Sequence, residues 1–198
     1  MPEGQTGAGA AGWILAGGAS RRMGRDKALL EWGGRPLALH IARLLETVVS
    51  TVAIVGPPER YAHLGLRVVP DLRPGEGPLA GIEAALAATP AEWNLIVACD
   101  QPMLDAAFVT ALQRTSLASQ ADCVIPGSPL EPQPLCAGYH RRCLPCVREA
   151  LNRGERRVRD LLRRLQVDWL PLGDTSRLAG ANTPEEWLSL VQSEKASL

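Results

Sequence analysis

The chain has 198 residues, of which 46% are hydrophobic and 21% are charged, and its 21 lysine and arginine side chains balance its 21 aspartate and glutamate side chains. A chain of this size fits one globular domain. A formal net charge of zero argues against broad binding to nucleic acid or to a membrane surface, because such binding needs an excess of positive charge.

Residues 1–12 are rich in glycine and alanine and lack the charged start and long apolar core of a secretory signal. No apolar run in the chain approaches the roughly 18 residues that a membrane-spanning helix needs. We therefore expect a cytoplasmic protein with a flexible tail over residues 1–12 and a single domain over residues 13–198.

Short apolar strands alternate with amphipathic helices along the rest of the chain. The predicted strands cover residues 13–16, 51–55, 66–69, 93–99, 123–125, 135–139 and 167–170. The predicted helices cover residues 36–49, 79–88, 106–117, 142–151 and 155–165, and a last helix starts at Pro184 with Thr183 as its cap. This alternation predicts an α/β fold with a mostly parallel sheet, flanking helices and right-handed crossovers. In such sheets, ligands bind outside the carboxyl ends of the strands.

A glycine-rich loop follows the first predicted strand, and the whole segment, residues 15–27, is LAGGASRRMGRDK. Glycines let backbone N–H groups approach an anion closely, so we expect the backbone around Gly17 and Gly18 to hold phosphates. Positive charge in the same loop comes from Arg21, Arg22, Arg25 and Lys27. The combination predicts a polyphosphate site. The segment matches neither the P-loop pattern G-x-x-x-x-G-K-[ST] nor the dinucleotide pattern G-x-G-x-x-G.

Asp100 follows the apolar run of residues 93–99, which is typical of a strand covered on both faces. A carboxylate at the carboxyl end of a central strand suits Mg²⁺, which takes one or two carboxylates together with substrate phosphates and water. The alternative is that Asp100 caps the next helix. Pro102 and the four residues before Ala106 disfavour that alternative.

These segments together resemble the molybdenum cofactor guanylyltransferases. The pattern L-A-G-G-x-S-x-R-M-G-x-D-K is similar to the signature loop of that family, CDQP (residues 99–102) to its metal-binding turn, and GPLAG (residues 77–81) to part of its nucleotide pocket. The resemblance covers residues 13–190. It implies a single-domain, Rossmann-like nucleotidyltransferase fold. The activity it implies is transfer of GMP from GTP to the terminal phosphate of molybdopterin, with release of pyrophosphate.

The resemblance also assigns the nucleotide-side residues. It implies that the nucleotide binds Leu15, Ala16, Gly17, Gly18, Lys27, Asp71, Gly77, Pro78, Leu79 and Asp100. Arg22, Lys27 and Asp100 are expected to be catalytic, with Mg²⁺ held by Asp100. On the sequence alone, an aspartate before a loop rich in proline and glycine, such as Asp71, is also typical of a turn residue.

Three later segments supply candidates for the acceptor side, because PQP, GERRV and NTPEE are each similar to a stretch of the family. The residues so assigned are Gln133, Arg156, Arg157 and Asn182. A solvated helix face is the alternative interpretation of the two arginines. Gly180 departs from the family pattern, which usually has an asparagine at that position.

Phosphate chemistry accounts for the residue types in these loops. The second pKa of a phosphate monoester is about 6, so the acceptor phosphate is ionised at neutral pH and needs no general base. The loops contain no histidine, which fits such a nucleophile. Arg22 and Lys27 are expected to neutralise the charge that develops as pyrophosphate leaves.

Several other functions remain open on the sequence. The same phosphate-binding residues would suit cytidylyl transfer to molybdopterin or nucleotidyl transfer to another phosphorylated metabolite. A nucleotide-binding protein without turnover is a second alternative, and a dinucleotide-dependent oxidoreductase is disfavoured by the failed glycine pattern. The partners expected are GTP and molybdopterin, with transient contacts to proteins that donate the cofactor or mature molybdoenzymes. No nucleic acid or membrane partner is expected.

The five cysteines predict neither a disulfide framework nor a metal site. Cys143 and Cys146 form one C-x-x-C pair, but the chain has no second pair and its three histidines lack metal-binding spacing. We expect reduced thiols without a role in the reaction.

Overall fold

The computed structural model describes residues 9–17, 24–173, 178, 180–181 and 183–196. The strands are β1 (Ala10–Leu15), β2 (Glu31–Trp32), β3 (Arg35–Pro36), β4 (Val52–Val55), β5 (Arg67–Val69), β6 (Trp93–Ala98), β7 (Cys123–Pro126), β8 (Cys136–His140) and β9 (Val167–Leu170). The helices are α1 (Leu37–Glu46), α2 (Pro58–Tyr61), α3 (Pro78–Ala87), α4 (Ala106–Ala118), α5 (Leu144–Asn152), α6 (Val158–Leu162) and α7 (Pro184–Ala196).

Seven of the strands in the described residues form one sheet in the order β5-β4-β1-β6-β8-β7-β9. Strand β8 runs antiparallel to both of its neighbours, and the other pairings in the sheet are parallel. The predicted α/β fold with a mostly parallel sheet is therefore confirmed. Strands β2 and β3 form a separate antiparallel hairpin.

The central strands are buried on both faces, as their continuous apolar runs predict. In β1, Trp13 packs with the apolar cluster on one face of the sheet, and Ile14 packs with the cluster on the other face. Trp13 Nε1 donates a hydrogen bond of 2.9 Å to Oδ1 of the fully buried Asn94 in β6. This bond satisfies two polar groups that would otherwise be costly in the core.

Helices cover both faces of the sheet. Residues of α1 and α4, with Trp187 of α7, pack in one cluster, and residues of α3, α5 and α6 pack in the other. Thr183 Oγ1 accepts from the backbone N of Glu186 at 3.2 Å, while Glu186 Oε2 accepts from the backbone N of Thr183 at 3.3 Å. This reciprocal capping box starts α7 where the sequence predicts it.

Connections that leave one edge of the sheet, its carboxyl edge, bring distant segments together. The loops after β1, β4, β5, β6 and β9 begin at this edge because these strands are parallel. Because β8 runs in the opposite direction, it starts at this edge, and the connection of residues 127–135 therefore lies there as well. Ala98 N at the end of β6 donates to Leu135 O of this connection at 2.7 Å. Helix α5 then returns residues 153–157 to the same edge, where Arg156 meets Glu76.

Several predicted boundaries differ from the structure. Strand β1 begins at Ala10 rather than at Trp13. Helix α6 covers only Val158–Leu162, because Arg157 before it has an extended backbone with φ −91° and ψ 122°. The hairpin of β2 and β3 was not predicted, since each strand has only two residues. Within the described part of the chain, the helices are too short or too polar to cross a bilayer.

Candidate active site

Lys27 and Asp100 face each other at the carboxyl edge. The Lys27 Nζ atom lies 3.6 Å from Oδ2 of Asp100, and the two side chains are 14% and 36% exposed. The reason lies in the sheet, where Leu15 at the end of β1 pairs with Ala98 at the end of β6. The loops that follow these two strands therefore share one space, and the two motifs that carry charge meet there.

Asp100 is not the cap of the helix that follows it. Helix α4 is capped by Asp105, whose Oδ1 accepts from the backbone N of Phe108 at 2.7 Å. The Asp100 carboxylate remains partly exposed beside Lys27. One such carboxylate fits a hard cation that completes its shell with phosphate oxygens and water. Among the described residues, no three His, Cys, Asp or Glu side chains gather as an all-protein metal site.

Asp26 anchors the segment that carries Lys27, a role that the sequence analysis did not assign. Its Oδ1 accepts from Ala28 N at 3.1 Å, and its Oδ2 accepts from the hydroxyl of Tyr61 at 2.7 Å. Arg60 Nη1 lies 3.7 Å from the same Oδ2. Desolvation by burial, followed by the hydrogen bond to Asp26, raises the pKa of Tyr61 well above its ordinary value. Tyr61 therefore stays protonated and keeps donating to Asp26.

The backbone at the end of β1 packs directly on the corner after β4. Gly17 has φ +93°, and a Cβ there would lie 2.8 Å from Cδ of Pro57. A Cβ at Gly56 would lie 2.7 Å from Cε2 of Tyr61 and 3.1 Å from the carbonyl oxygen of Ala16. Ala16 N also donates to Val55 O at 2.9 Å. Both glycines are therefore required by close approach, and the start of the glycine-rich loop is held in place.

The loop of residues 70–77, here called the nucleotide-side loop, leads into α3. Asp71 Oδ1 accepts from Arg73 N at 2.8 Å, which is the turn geometry that the sequence offered as an alternative. Gly77 has φ +83° and precedes Pro78 at the first turn of α3, where no side chain caps the helix. The buried Leu79 follows.

Leu15 joins the first loop to α3. A Cβ at Gly81 would lie 3.2 Å from Cδ2 of Leu15. The strand end that precedes the glycine-rich loop and the first turns of α3 are thus in contact. Leu15 and the segment from Gly77 to Leu79 therefore lie in the same part of the carboxyl edge. The resemblance assigns both of them to the nucleotide.

Two acceptor-side candidates lie on separate loops of the same edge. Gln133 belongs to the connection from β7 to β8, and its backbone N donates to Pro126 O at 2.9 Å. Arg156 Nη2 lies 3.1 Å from Oε1 of Glu76, and its Nη1 donates to the carbonyls of Leu151 and Glu155 at 3.0 and 2.9 Å. The Arg156 side chain therefore holds the nucleotide-side loop.

Arg157, the next residue, is exposed, and within the described residues it forms no ion pair with a carboxylate. It is thus a cation at the carboxyl edge that is available to an anion. The other predicted site residues, Gly18, Arg22 and Asn182, lie outside the described residues.

Gly180 lies against the turn that carries Asp100. A Cβ at position 180 would be 2.8 Å from the backbone oxygen of Asp100 and 3.6 Å from its Cγ. Real Cβ atoms do not approach a backbone oxygen so closely, so any larger residue must displace one of the two segments. Glycine at position 180, where the family usually has asparagine, therefore permits the close approach of this segment to Asp100.

Cys99 and Cys143 lie in surroundings that disfavour the thiolate form. Burial raises the pKa of Cys143 to about 12 and that of Cys99 to about 12. Cys143 Sγ donates to the backbone oxygen of Asp122 at 3.0 Å. Since the thiolate is the nucleophile and the metal ligand, these two groups are inert at neutral pH.

Comparison with known families agrees with this geometry. Residues 12–169 match the family model of the MobA-like NTP transferase domain. The chain belongs to this family. The match begins within β1, includes Lys27 and Asp100, and ends within β9.

Relatives of the same family are similar over most of their length. A probable molybdenum cofactor guanylyltransferase from Nostoc sp. is 37% identical over 187 residues, which cover 91% of this chain and 89% of the relative. Another from Deinococcus radiodurans is 40% identical over 146 residues, or 74% of this chain and 75% of the relative. Molybdopterin-guanine dinucleotide biosynthesis protein A from Archaeoglobus fulgidus superposes with a TM-score of 0.78 at 24% identity, covering 95% of this chain and 100% of that one. That structural likeness shows the shared fold.

Proposed function

We propose that this MobA-like protein transfers GMP from GTP to the terminal phosphate of molybdopterin and releases pyrophosphate. The observation that carries the proposal is the pairing of Lys27 with Asp100 at 3.6 Å, at the carboxyl edge and beside the glycine-rich loop. The names of the relatives from Nostoc sp. and Deinococcus radiodurans support the choice of substrates.

The chain's own residues act mainly by positioning and by neutralising charge. The acceptor phosphate is ionised at neutral pH and can attack the α-phosphorus of GTP without a general base. The bond from the α-phosphorus to the bridging oxygen breaks, and pyrophosphate leaves with its electron pair. Lys27 neutralises the charge that develops on that leaving group, and Arg22 is proposed to act with it.

Asp100 is the proposed ligand of Mg²⁺. The fit rests on one partly exposed carboxylate at a strand end, with no helix to cap. A magnesium ion held by Asp100 would supply charge neutralisation for the substrate phosphates. The Lys27 ammonium group beside Asp100 limits the negative charge of the site before substrate arrives.

The two substrates are assigned to different segments at the carboxyl edge. GTP is proposed to bind the segments from Leu15 to Gly18 and from Gly77 to Leu79, together with Asp71. Molybdopterin is proposed to bind near Gln133, Arg157 and Asn182. Since Arg156 is engaged by Glu76, its contribution to acceptor binding is proposed to act through the loop that it holds. As part of the same proposal, the reaction takes place in the cytoplasm, with transient contact to proteins that supply or receive the cofactor.

The decisive experiment is to measure pyrophosphate release with Mg²⁺ and molybdenum-loaded molybdopterin, supplying GTP, CTP, ATP and UTP in separate reactions. We expect release with GTP, together with a guanine dinucleotide product on chromatography. Release with CTP alone would replace the proposal by cytidylyl transfer. Nucleotide binding without release for any of the four would contradict turnover on this acceptor.

The close approach of Gly180 to Asp100 predicts that a larger residue at position 180 lowers activity without contacting the substrate. Gly180→Ala is expected to lower kcat/KM about tenfold, because the added Cβ must displace the Asp100 turn and small misplacements of reacting groups are costly. The same pyrophosphate assay measures it. Gly173→Ala is the matched control, since a Cβ there meets nothing within 4 Å. Equal activities of the two variants would show that the turn tolerates the displacement.

A further inference from the structure

Glu83 is a buried charge that the proposed reaction does not use. Its side chain is only 4% exposed in the middle of α3. A buried carboxylate is costly unless it is paired and hydrogen bonded. Arg73 Nε donates to its Oε2 at 2.9 Å, and Arg148 Nε donates to its Oε1 at 3.2 Å. Each oxygen of the carboxylate therefore has a guanidinium partner.

The two arginines belong to different parts of the structure. Arg148 is in α5, which packs beside α3. Arg73 is in the nucleotide-side loop, and its Nη2 also donates to Oδ1 of Asn152, the last residue of α5, at 2.8 Å. One side chain of the loop is thus fixed to both helices beneath it. The planar guanidinium makes this double contact possible, because its donors point in fixed directions.

The ion pair of Arg156 with Glu76 holds the end of the loop, and Arg73 holds the residues before it. Gly75 and Gly77 both have positive φ, +84° and +83°, and Leu72 is 53% exposed. Glycines of this kind increase the conformational freedom of a free loop. The backbone of Arg73 is also the centre of the turn, since its N is bound by Asp71 and its carbonyl accepts from Glu76 N at 3.1 Å. Fixing Arg73 therefore fixes the residues on either side of it.

We propose that Arg73 is a positioning residue for the nucleotide. Through Glu83 and Asn152 it holds the nucleotide-side loop in one conformation, so that Asp71 and Gly77 are in place before GTP arrives. This inference rests on the proposed function, because it takes the loop as part of the GTP site. A loop without the anchor must be ordered when GTP binds, and that ordering cost lowers affinity. Lys27 and Asp100 stay in place, so the chemical step is unchanged.

The test compares Arg73→Gln with Arg148→Gln. Each variant removes one guanidinium from Glu83 and leaves the other, but only Arg73→Gln removes a side chain that anchors the loop. We expect Arg73→Gln to raise the Kd and the KM for GTP about tenfold while kcat stays within about twofold. Arg148→Gln is expected to change the Kd less than about twofold. Calorimetric titration with GTP and Mg²⁺ measures the Kd, and thermal unfolding compares the stability of the two variants.

Equal losses of affinity in the two variants would overturn the proposal, since a general loss of stability would then explain both. An unchanged Kd in Arg73→Gln would also overturn it. Asn152→Ala removes only the second contact of Arg73 from an exposed position, and it is expected to raise the Kd about threefold. If Arg73→Gln does not fold, an unchanged Kd in Asn152→Ala overturns the proposal. A wild-type protein that does not bind GTP would contradict the proposed function instead.

Discussion

Lys27→Ala is expected to lower kcat for pyrophosphate release by about 10²–10³, with a smaller rise in the KM for GTP. The Nζ atom lies beside Asp100, in the space shared by the loops after β1 and β6. Its charge is most useful when pyrophosphate leaves, so its loss affects the transition state more than the bound nucleotide. Steady-state kinetics with GTP varied at saturating acceptor separates the two constants.

Two further variants sharpen this prediction. Lys27→Arg keeps the positive charge but not the compact ammonium group, so it is expected to recover part of kcat. Arg43→Ala removes an exposed cation from α1 and is expected to leave both constants unchanged. A Lys27→Ala protein with wild-type turnover would remove Lys27 from the chemistry, and a pure rise in KM would limit it to binding.

The sequence predicts the site best where a recognisable strand and the charged residues of the site belong to one segment. The apolar runs that end at Leu15 and Ala98 predict buried parallel strands, and the charged motifs follow them at once. Since parallel strands end at one edge, the sequence predicts that the glycine-rich loop and the Asp100 turn lie at that edge, and the structure shows that their strands, β1 and β6, are neighbours. The side chains of Lys27 and Asp100 lie 3.6 Å apart.

The sequence does not predict contacts that depend on distant pairing. Tyr61 and Asp26 are 35 residues apart, and no local pattern relates them. The side-chain periodicity of β8 does not reveal its direction, because parallel and antiparallel strands alternate faces in the same way. The reversal of β8 places the connection that contains Gln133 at the carboxyl edge. Glu83 is polar within an otherwise apolar helix, and only the fold shows that Arg73 and Arg148 surround it.

The role of Asp100 is open to an equally sharp test. Asp100→Asn keeps the size of the side chain but removes the charge that attracts a hard cation. It is expected to shift the Mg²⁺ dependence of the initial rate to about tenfold higher concentration and to lower kcat/KM by about 10². The measurement is the rate of pyrophosphate release over a Mg²⁺ titration at fixed GTP.

Asp105→Asn provides the matched control for that titration. Asp105 lies in the same connection and caps α4 through Phe108 N, and asparagine caps a helix as well as aspartate does. Its Mg²⁺ titration is therefore expected to follow that of the wild type. If Asp100→Asn also keeps the wild-type titration, Asp100 does not hold the metal. A loss of rate at every Mg²⁺ concentration with an unchanged midpoint would restrict Asp100 to orienting Lys27, the cation 3.6 Å away. The midpoint, rather than the rate alone, therefore decides between a metal ligand and a positioning carboxylate.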